Sequence, residues 1–372
     1  MENSKKTYVN LSWIIYIIIG VIGFFLVRLF FNELNISNVY DLNMNIYVYD
    51  ALIILYGFVS CGLVYNLGKL IFSLICGYEL VYFNLYFMGI EKMNGKKKLF
   101  FGLKHDLNCK VVMKPKKDNV NTTLPLLGGT IASIMAFGIT YLLIFVLKTS
   151  ATTKFFFLVS SMFYIFMVVL NLVPCRMDSI NDGFSLFLLK DITLKNVYLT
   201  NLHNAHAMMD PSLEYKYQDI EINEHPFVLE AQIYNYYCLL NDKKIKEALN
   251  VISTIYEDRK NLISEEHSNT VLISYVYNLC VNKSNEELKE LYSKLDINAK
   301  QIINSGKNLE NIKTSLYIFT YIDEDKEGYV KIINDIDKVK AKYRYSRFVG
   351  VEEEMIKDVI KDVQENKPEW NE

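Results

Sequence analysis

Four stretches of this chain are too long and too apolar to be ordinary core segments: residues 11–31, 51–75, 124–147 and 155–173. About 20 apolar residues in helical form cross the hydrocarbon layer of a bilayer. Lipid offers backbone groups no partner, so each stretch must satisfy its own hydrogen bonds as a helix. The expected class is therefore a mostly α membrane protein with four transmembrane helices. The first stretch lacks a small-residue cleavage site and reads as a retained anchor, with Arg28 near its end placed to snorkel.

Charge orients these spans. Residues 32–49 hold Glu33 and Asp41 but no Lys or Arg, whereas residues 79–118 hold nine lysines. Positive charge stays on the cytoplasmic side, which predicts a multi-pass protein of the cell membrane with both termini cytoplasmic. Through residue 199 there are 18 Lys and Arg against 11 Asp and Glu, and beyond it 22 against 31. A basic membrane half joined to an acidic half suits an anionic inner leaflet. The lysine runs flank spans, so nothing points to nucleic acid. Six cysteines, at 61, 76, 109, 175, 238 and 280, show no C-x-x-C spacing and read as reduced and structural. Heavy use of Ile, Asn, Lys and Tyr suits an AT-rich bacterial genome.

Two boundaries follow. Residues 1–199 form the membrane domain, with a small β insertion at 79–118, where aromatic and β-branched runs are broken by Asn94-Gly95 and Lys96–Lys98. That insertion reads first as a basic juxtamembrane loop. Residues 200–372 form a soluble, cytoplasmic α-helical domain. Ile245, Ala248, Leu249 and Ile252 repeat in pattern as Leu288, Leu291, Tyr292 and Leu295, then as Tyr329, Ile332, Ile333 and Ile336. Each is one apolar stripe of a helix. The stripes recur at a period suited to stacked helical hairpins, a tetratricopeptide-like helical repeat. Ser284 and Glu287 are spaced as a capping box for the second stripe, and the runs 227–240, 271–280 and 309–322 would supply partner helices. A plain helical bundle fits the same stripes.

Within the second span Tyr65, Asn66 and Lys69 stand at i, i+1 and i+4. This is the spacing of H-E-x-x-H, in which two histidines one turn apart hold zinc beside a glutamate base. Here those positions read Tyr, Asn and Lys. A lysine at membrane depth is costly and marks a functional site by default. An asparagine cannot take a proton from water at neutral pH.

Further along, residues 171–183 read NLVPCRMDSINDG. Together with the frame at 65–69 this resembles the site-2 protease family of intramembrane zinc metalloproteases. That family pairs an H-E-x-x-H helix with a later N-x-x-P…D-G segment whose Asp is the third zinc ligand. Asn171, Pro174, Asp182 and Gly183 match the later segment, and Asp178 is a rival for the Asp. Between them LLGGTIAS resembles the family's G-P-x-x-N element, with Gly129 matching and Thr130 and Ser133 in place of Pro and Asn. Gly77 and the run YELVYFNLYFMGI resemble the glycine and strand after the zinc helix. The likeness covers residues 50–190.

The resemblance with its ligands lost implies a catalytically inactive, site-2 protease-like pseudoprotease. It would bind a membrane peptide or a partner protein through its core and its cytoplasmic helical domain, with no cofactor. The alternative is an active intramembrane zinc metalloprotease with a nonstandard metal site, in which Asp182 would be a ligand. A third reading is a membrane-anchored helical scaffold. In the resemblance, the face carrying Tyr65 and Lys69 points at the segment of Asp178 and Asp182. An ammonium standing where the metal stood would relieve the buried carboxylate, which puts Lys69 within about 4 Å of Asp182 or Asp178; the alternative is that its flexible stem snorkels to the interface. Asn66 and Asn171 are expected to add hydrogen bonds. His203 and His206, one turn apart before Asp210, offer a weaker metal reading because no glutamate base accompanies them.

Overall fold

The computed structural model describes residues 17, 20–21, 23, 46–93, 96–101, 109–117, 120–148, 150–174, 181–282, 285–343 and 345–370. Most of the first apolar stretch, the loop after it, Asp178, Cys175 and Ser284 lie outside the described residues. The chain divides into two compact units, one of residues 1–92 with 96–196 and one of residues 93–95 with 197–372.

Three helices build the first unit: α1 (Ile46–Ile75), then α2 (Thr123–Val146) and α3 (Ala151–Leu172), which follow the sheet described below. Each contains a segment long and apolar enough to cross a membrane, namely Ala51–Ile75, Thr123–Val146 and Ala151–Leu172. Helix α1 begins five residues before the apolar stretch, because Ile46–Tyr49 supply more apolar and aromatic residues that carry the helix through Asp50. Large apolar side chains such as Leu55, Ile71, Met135 and Leu142 remain half or more exposed, the outer face expected of a bundle solvated by lipid. Glycines set the contact between α1 and α2. A Cβ at Gly128 would stand 2.7 Å from Phe72 Cβ, and one at Gly129 would stand 2.5–2.7 Å from the Tyr65 ring. Backbones can approach this closely only where side chains vanish. Helix α3 ties to α1 through Tyr49, whose hydroxyl donates to the Thr152 carbonyl at 2.9 Å.

After α1 the chain reverses at Gly77, whose φ of +85° lies in the left-handed region open to glycine. Strands β1 (Tyr78–Leu85), β2 (Met88–Met93), β3 (Lys96–Phe101) and β4 (Cys109–Pro115) form an antiparallel sheet in the order β3-β2-β1-β4. Tyr82 pairs with Glu91 on one side and Val112 on the other, and a register shift interrupts β1 between Leu80 and Tyr82. The small β insertion expected at 79–118 is present as this sheet, and it packs against α1. Strand β1 runs back along α1, so that the Tyr86 hydroxyl reaches the Phe58 carbonyl at 3.3 Å. The Asn66 amide donates to the Cys109 carbonyl at 3.0 Å. Tyr78, Val81 and Tyr82 are buried in this arrangement, the Tyr82 ring stacking on Phe100 of β3 at 5.8 Å between centroids. β3 is an edge strand, with Leu99 and Phe101 each 72% exposed.

Helix α4 (Asp182–Leu188) closes this unit, and the unit boundary falls inside α5 (Ile192–Met209). Asn181 caps α4 by accepting from the Phe184 N–H at 2.9 Å. Its amide also donates to the carbonyls of Leu170 and Val173, at 2.8 and 2.6 Å, and so pins α4 to the end of α3. Gly183 sits against the Leu172 carbonyl, where any Cβ would collide.

The second unit is helical: α6 (Pro226–Asn241), α7 (Ile245–Arg259), α8 (Glu265–Val281), α9 (Asn285–Lys294), α10 (Ile297–Asn304), α11 (Leu309–Tyr321), α12 (Lys326–Lys342) and α13 (Val349–Asn366). All three sequence stripes lie on helices, α7, α9 and α12, and face one core. Ala248, Leu249, Ile252, Leu288, Tyr329 and Ile332 are buried, and the remaining stripe residues pack on them. Helices α7, α9 and α12 lean respectively on α6, α8 and α11. Helices α10 and α13 have no place in a two-helix period. Helix α13 instead supplies Glu352, which forms a buried ion pair with Lys313 of α11. Nearby, the Tyr343 hydroxyl donates to Glu310 Oε1 at 2.7 Å. Cys61, Cys76, Cys109, Cys238 and Cys280 are free thiols.

Candidate functional site

Tyr65 and Lys69 are one turn apart on α1, so their side chains share a face. Opposite them stands Asp182, the first residue of α4, held there by the Asn181 cap. Lys69 Nζ lies 2.8 Å from Asp182 Oδ1, inside the 4 Å expected. The Tyr65 hydroxyl donates to Asp182 Oδ2. Both carboxylate oxygens are thus engaged, one by an ammonium and one by a phenol. Lys69 also sits 5.6 Å from the centre of the Tyr65 ring, within cation–π range. The side chains of Lys69 and Asp182 are 25% and 12% exposed, so the pair is largely withdrawn from solvent. Asp182 also benefits from its place in the first turn of α4, where the helix dipole favours negative charge.

Other residues singled out from the sequence are placed differently. Asn66 and Asn171 do not join the pair, contrary to expectation. Asn66 lies about 100° round α1 from Tyr65 and faces β4, so its amide serves the Gly62 and Cys109 carbonyls at 2.9 and 3.0 Å. Asn171 turns back on its own helix and donates to the Met167 carbonyl at 2.9 Å. Pro174 is exposed just past the end of α3, where a proline stops a helix. Cys61 Sγ points to the Phe58 carbonyl of its own helix at 3.2 Å. Sequence reading missed Asn181, though an Asn immediately before an acidic residue and a short apolar run is a helix N-cap signal.

The two histidines of α5 do not converge. His203 Nε2 bonds the Glu214 carbonyl at 2.8 Å, and His206 Nε2 lies 3.9 Å from Asp210 Oδ2. Among the described residues no three His, Cys, Asp or Glu side chains come together in a way that could hold a metal ion. Chemically, the arrangement around Asp182 is a neutralised, hydrogen-bonded clasp. Among the described residues it offers no unpaired carboxylate for general base work and no histidine ligands for zinc. No family model, curated protein or solved structure matches this chain.

Proposed function

We propose that this chain is a site-2 protease-like membrane protein in which a lysine has replaced the catalytic metal, and that it acts by binding. In this reading Tyr65, Asn66 and Lys69 stand at the positions of the two histidines and the glutamate, and Asp182 at that of the third ligand. The observation that carries it is the contact of Lys69 and Tyr65 with the two oxygens of Asp182. Asp182 lies 117 and 113 residues from Tyr65 and Lys69 in the chain, and its meeting with them is what a metal-site frame emptied of its metal chemistry would leave. The bundle then has four spans, counting residues 11–31, with both termini, the sheet and the helical unit on the cytoplasmic side. Its ligand is a membrane peptide or partner protein, received along the edge of β3 by strand addition and by the helical unit, which we read as a tetratricopeptide-like array.

The test rebuilds the lost chemistry. A chain carrying Tyr65→His, Asn66→Glu and Lys69→His should take up about one equivalent of zinc in equilibrium dialysis, while the wild-type chain takes up none that survives desalting. Failure of the folded triple variant to bind zinc would refute the frame. Stoichiometric zinc in the wild-type protein would refute the loss of the metal and favour a nonstandard metalloprotease.

A further inference from the structure

Between α5 and α6 the chain crosses the helical unit as an extended strap, residues 211–224, with no helix or strand of its own. Its backbone is held by side chains. Asn204 of α5 makes a two-bond clamp on Lys216, accepting from its N–H and donating to its carbonyl, both at 2.9 Å. Asn235 of α6 clamps Gln218 in the same way, at 2.9 and 2.8 Å. His203 takes the Glu214 carbonyl and Gln232 the Ile220 carbonyl, at 2.8 and 2.5 Å. From Glu214 to Ile220 every residue held is even-numbered, and at the start of the strap Arg347 takes the carbonyls of Pro211 and Leu213. An extended chain turns the N–H and C=O of alternate residues to one edge, so these side chains imitate a neighbouring β-strand.

Two features separate this from an ordinary connection. The clamping side chains are deeply buried, Asn204 and Asn235 being 0% exposed and Gln232 4%, while Glu214, Lys216, Tyr217, Asp219 and Glu221 of the strap face outward. Burying amides is costly unless each is satisfied, so the unit carries polar machinery dedicated to a peptide backbone. The strap's own side chains insert at three places: Gln218 donates to Asn201 Oδ1 at 2.8 Å, the Tyr215 ring packs against Phe348 and beneath the Arg347 guanidinium, and Ile220 is half-buried. Recognition through backbone bonds with a few side-chain pockets is how extended peptides are bound.

We propose that α5 and α6 form a receptor groove for an extended peptide, and that residues 211–224 occupy it as a built-in, exchangeable ligand. The partner is an extended protein segment with the strap's pattern: an aromatic residue, an amide side chain three residues on, and an aliphatic residue two further. This deepens, and rests on, the reading of the helical unit as a peptide receptor. The strap ends no helix when it leaves, so its release is a local opening. Being tethered, it competes at an effective concentration in the millimolar range, which keeps the groove shut to weak peptides.

The probe is a fluorescein-labelled synthetic peptide of residues 210–224, titrated into the full chain in detergent micelles. Lys216→Pro with Gln218→Pro removes the two clamped N–H groups of the tethered strap while suiting its extended backbone. That variant should bind the probe at least about tenfold more tightly than the wild-type chain does, since its internal competitor is weakened. The same peptide N-methylated at the positions of Lys216 and Gln218 should lose binding, as should Asn235→Ala in the variant background. A helical variant that binds no better than wild type, or that binds the N-methylated peptide equally, overturns the proposal. Hydrogen exchange on the wild-type chain decides the matter if the variant does not fold. The Lys216 and Gln218 amides should exchange well ahead of Ile233 in α6, and exchange in step with it overturns the proposal. Zinc in the wild-type protein would defeat the membrane-site reading and leave these binding curves unchanged, so the two failures are distinguishable.

Discussion

Consider replacing Asp182 by Asn. The carboxylate it removes neutralises Lys69, whose side chain is 25% exposed, while Asp182 itself is 12% exposed. Breaking a fully buried pair by deleting one partner costs about 3–5 kcal/mol, and an exposed pair is worth about 0–1 kcal/mol. A pair buried to this degree should fall between, at about 2–3 kcal/mol for Asp182→Asn. The asparagine still accepts from the Tyr65 hydroxyl, so the loss measures the ammonium left without its partner. Lys69→Met removes the charge from the other side and should cost a similar amount, since it strands the carboxylate. Combining the two strands neither, and the double variant should regain about 2 kcal/mol relative to the sum of the singles. Unfolding by SDS in mixed micelles, followed through helical circular dichroism, gives the three differences. A coupling energy below about 0.5 kcal/mol would show that the 2.8 Å contact does not stabilise the unit.

Other outcomes are equally open to measurement. Gly129→Val should lower stability by about 1–3 kcal/mol, because its side chain would enter the space of the Tyr65 ring; an unchanged melting temperature would contradict the packing described. Lys313→Met should cost about 3–5 kcal/mol in guanidinium unfolding by stranding Glu352 in the core, and adding Glu352→Leu should recover most of it. Burial, and then the charge of Glu352, raise the Glu310 carboxyl above its ordinary value. The folded chain therefore holds that proton more tightly than the unfolded one, and this contribution to stability is lost as pH climbs through the folded value. Glu310→Gln keeps an acceptor for the Tyr343 hydroxyl and should flatten the decline of melting temperature with rising pH; a profile parallel to wild type would refute the assignment.

The sequence made some of this legible and hid the rest for physical reasons. Long apolar runs announce α1, α2 and α3 because lipid-compatible helices need little else, and the stripe of Ile245, Ala248, Leu249 and Ile252 announces α7 because one face must be covered. Lys69 and Asp182 could be matched in advance because the family resemblance sets their segments face to face and a lysine in an apolar span calls for a partner. The folding-back of β1 along α1 was hidden, because nothing local tells a strand which surface will cover Tyr78 and Val81. The positions of Asn66 and Asn171 were hidden too: an asparagine amide takes whichever carbonyl is nearest, and that depends on backbone trajectories. Helix α10 is short and helix α13 carries a buried Glu352, so neither has the profile of a core helix until Lys313 is seen beside it.

The clasp at Asp182 also bears on how the protein is made. Its two ends are 113 residues apart, so Lys69 leaves the ribosome long before the carboxylate that will hold it. At about 5–20 residues per second the wait is roughly 6–23 s. On the proposed membrane reading, helix α1 enters the bilayer during that interval with its ammonium unmatched, a burden of up to about 2.5–3.5 kcal/mol, the figure for a lysine at mid-membrane. Lys69 lies six residues before the helix ends at Ile75, close enough to the surface for its stem to carry the charge out to water. The same lysine thus serves twice, first as a float that lets the helix insert and later as a rivet drawn inward once α4 arrives. Cutting translation short between residues 75 and 182 should yield a chain in the first of these states, with Lys69 reacting faster with a water-borne amine reagent than in the finished protein, where Asp182 holds it.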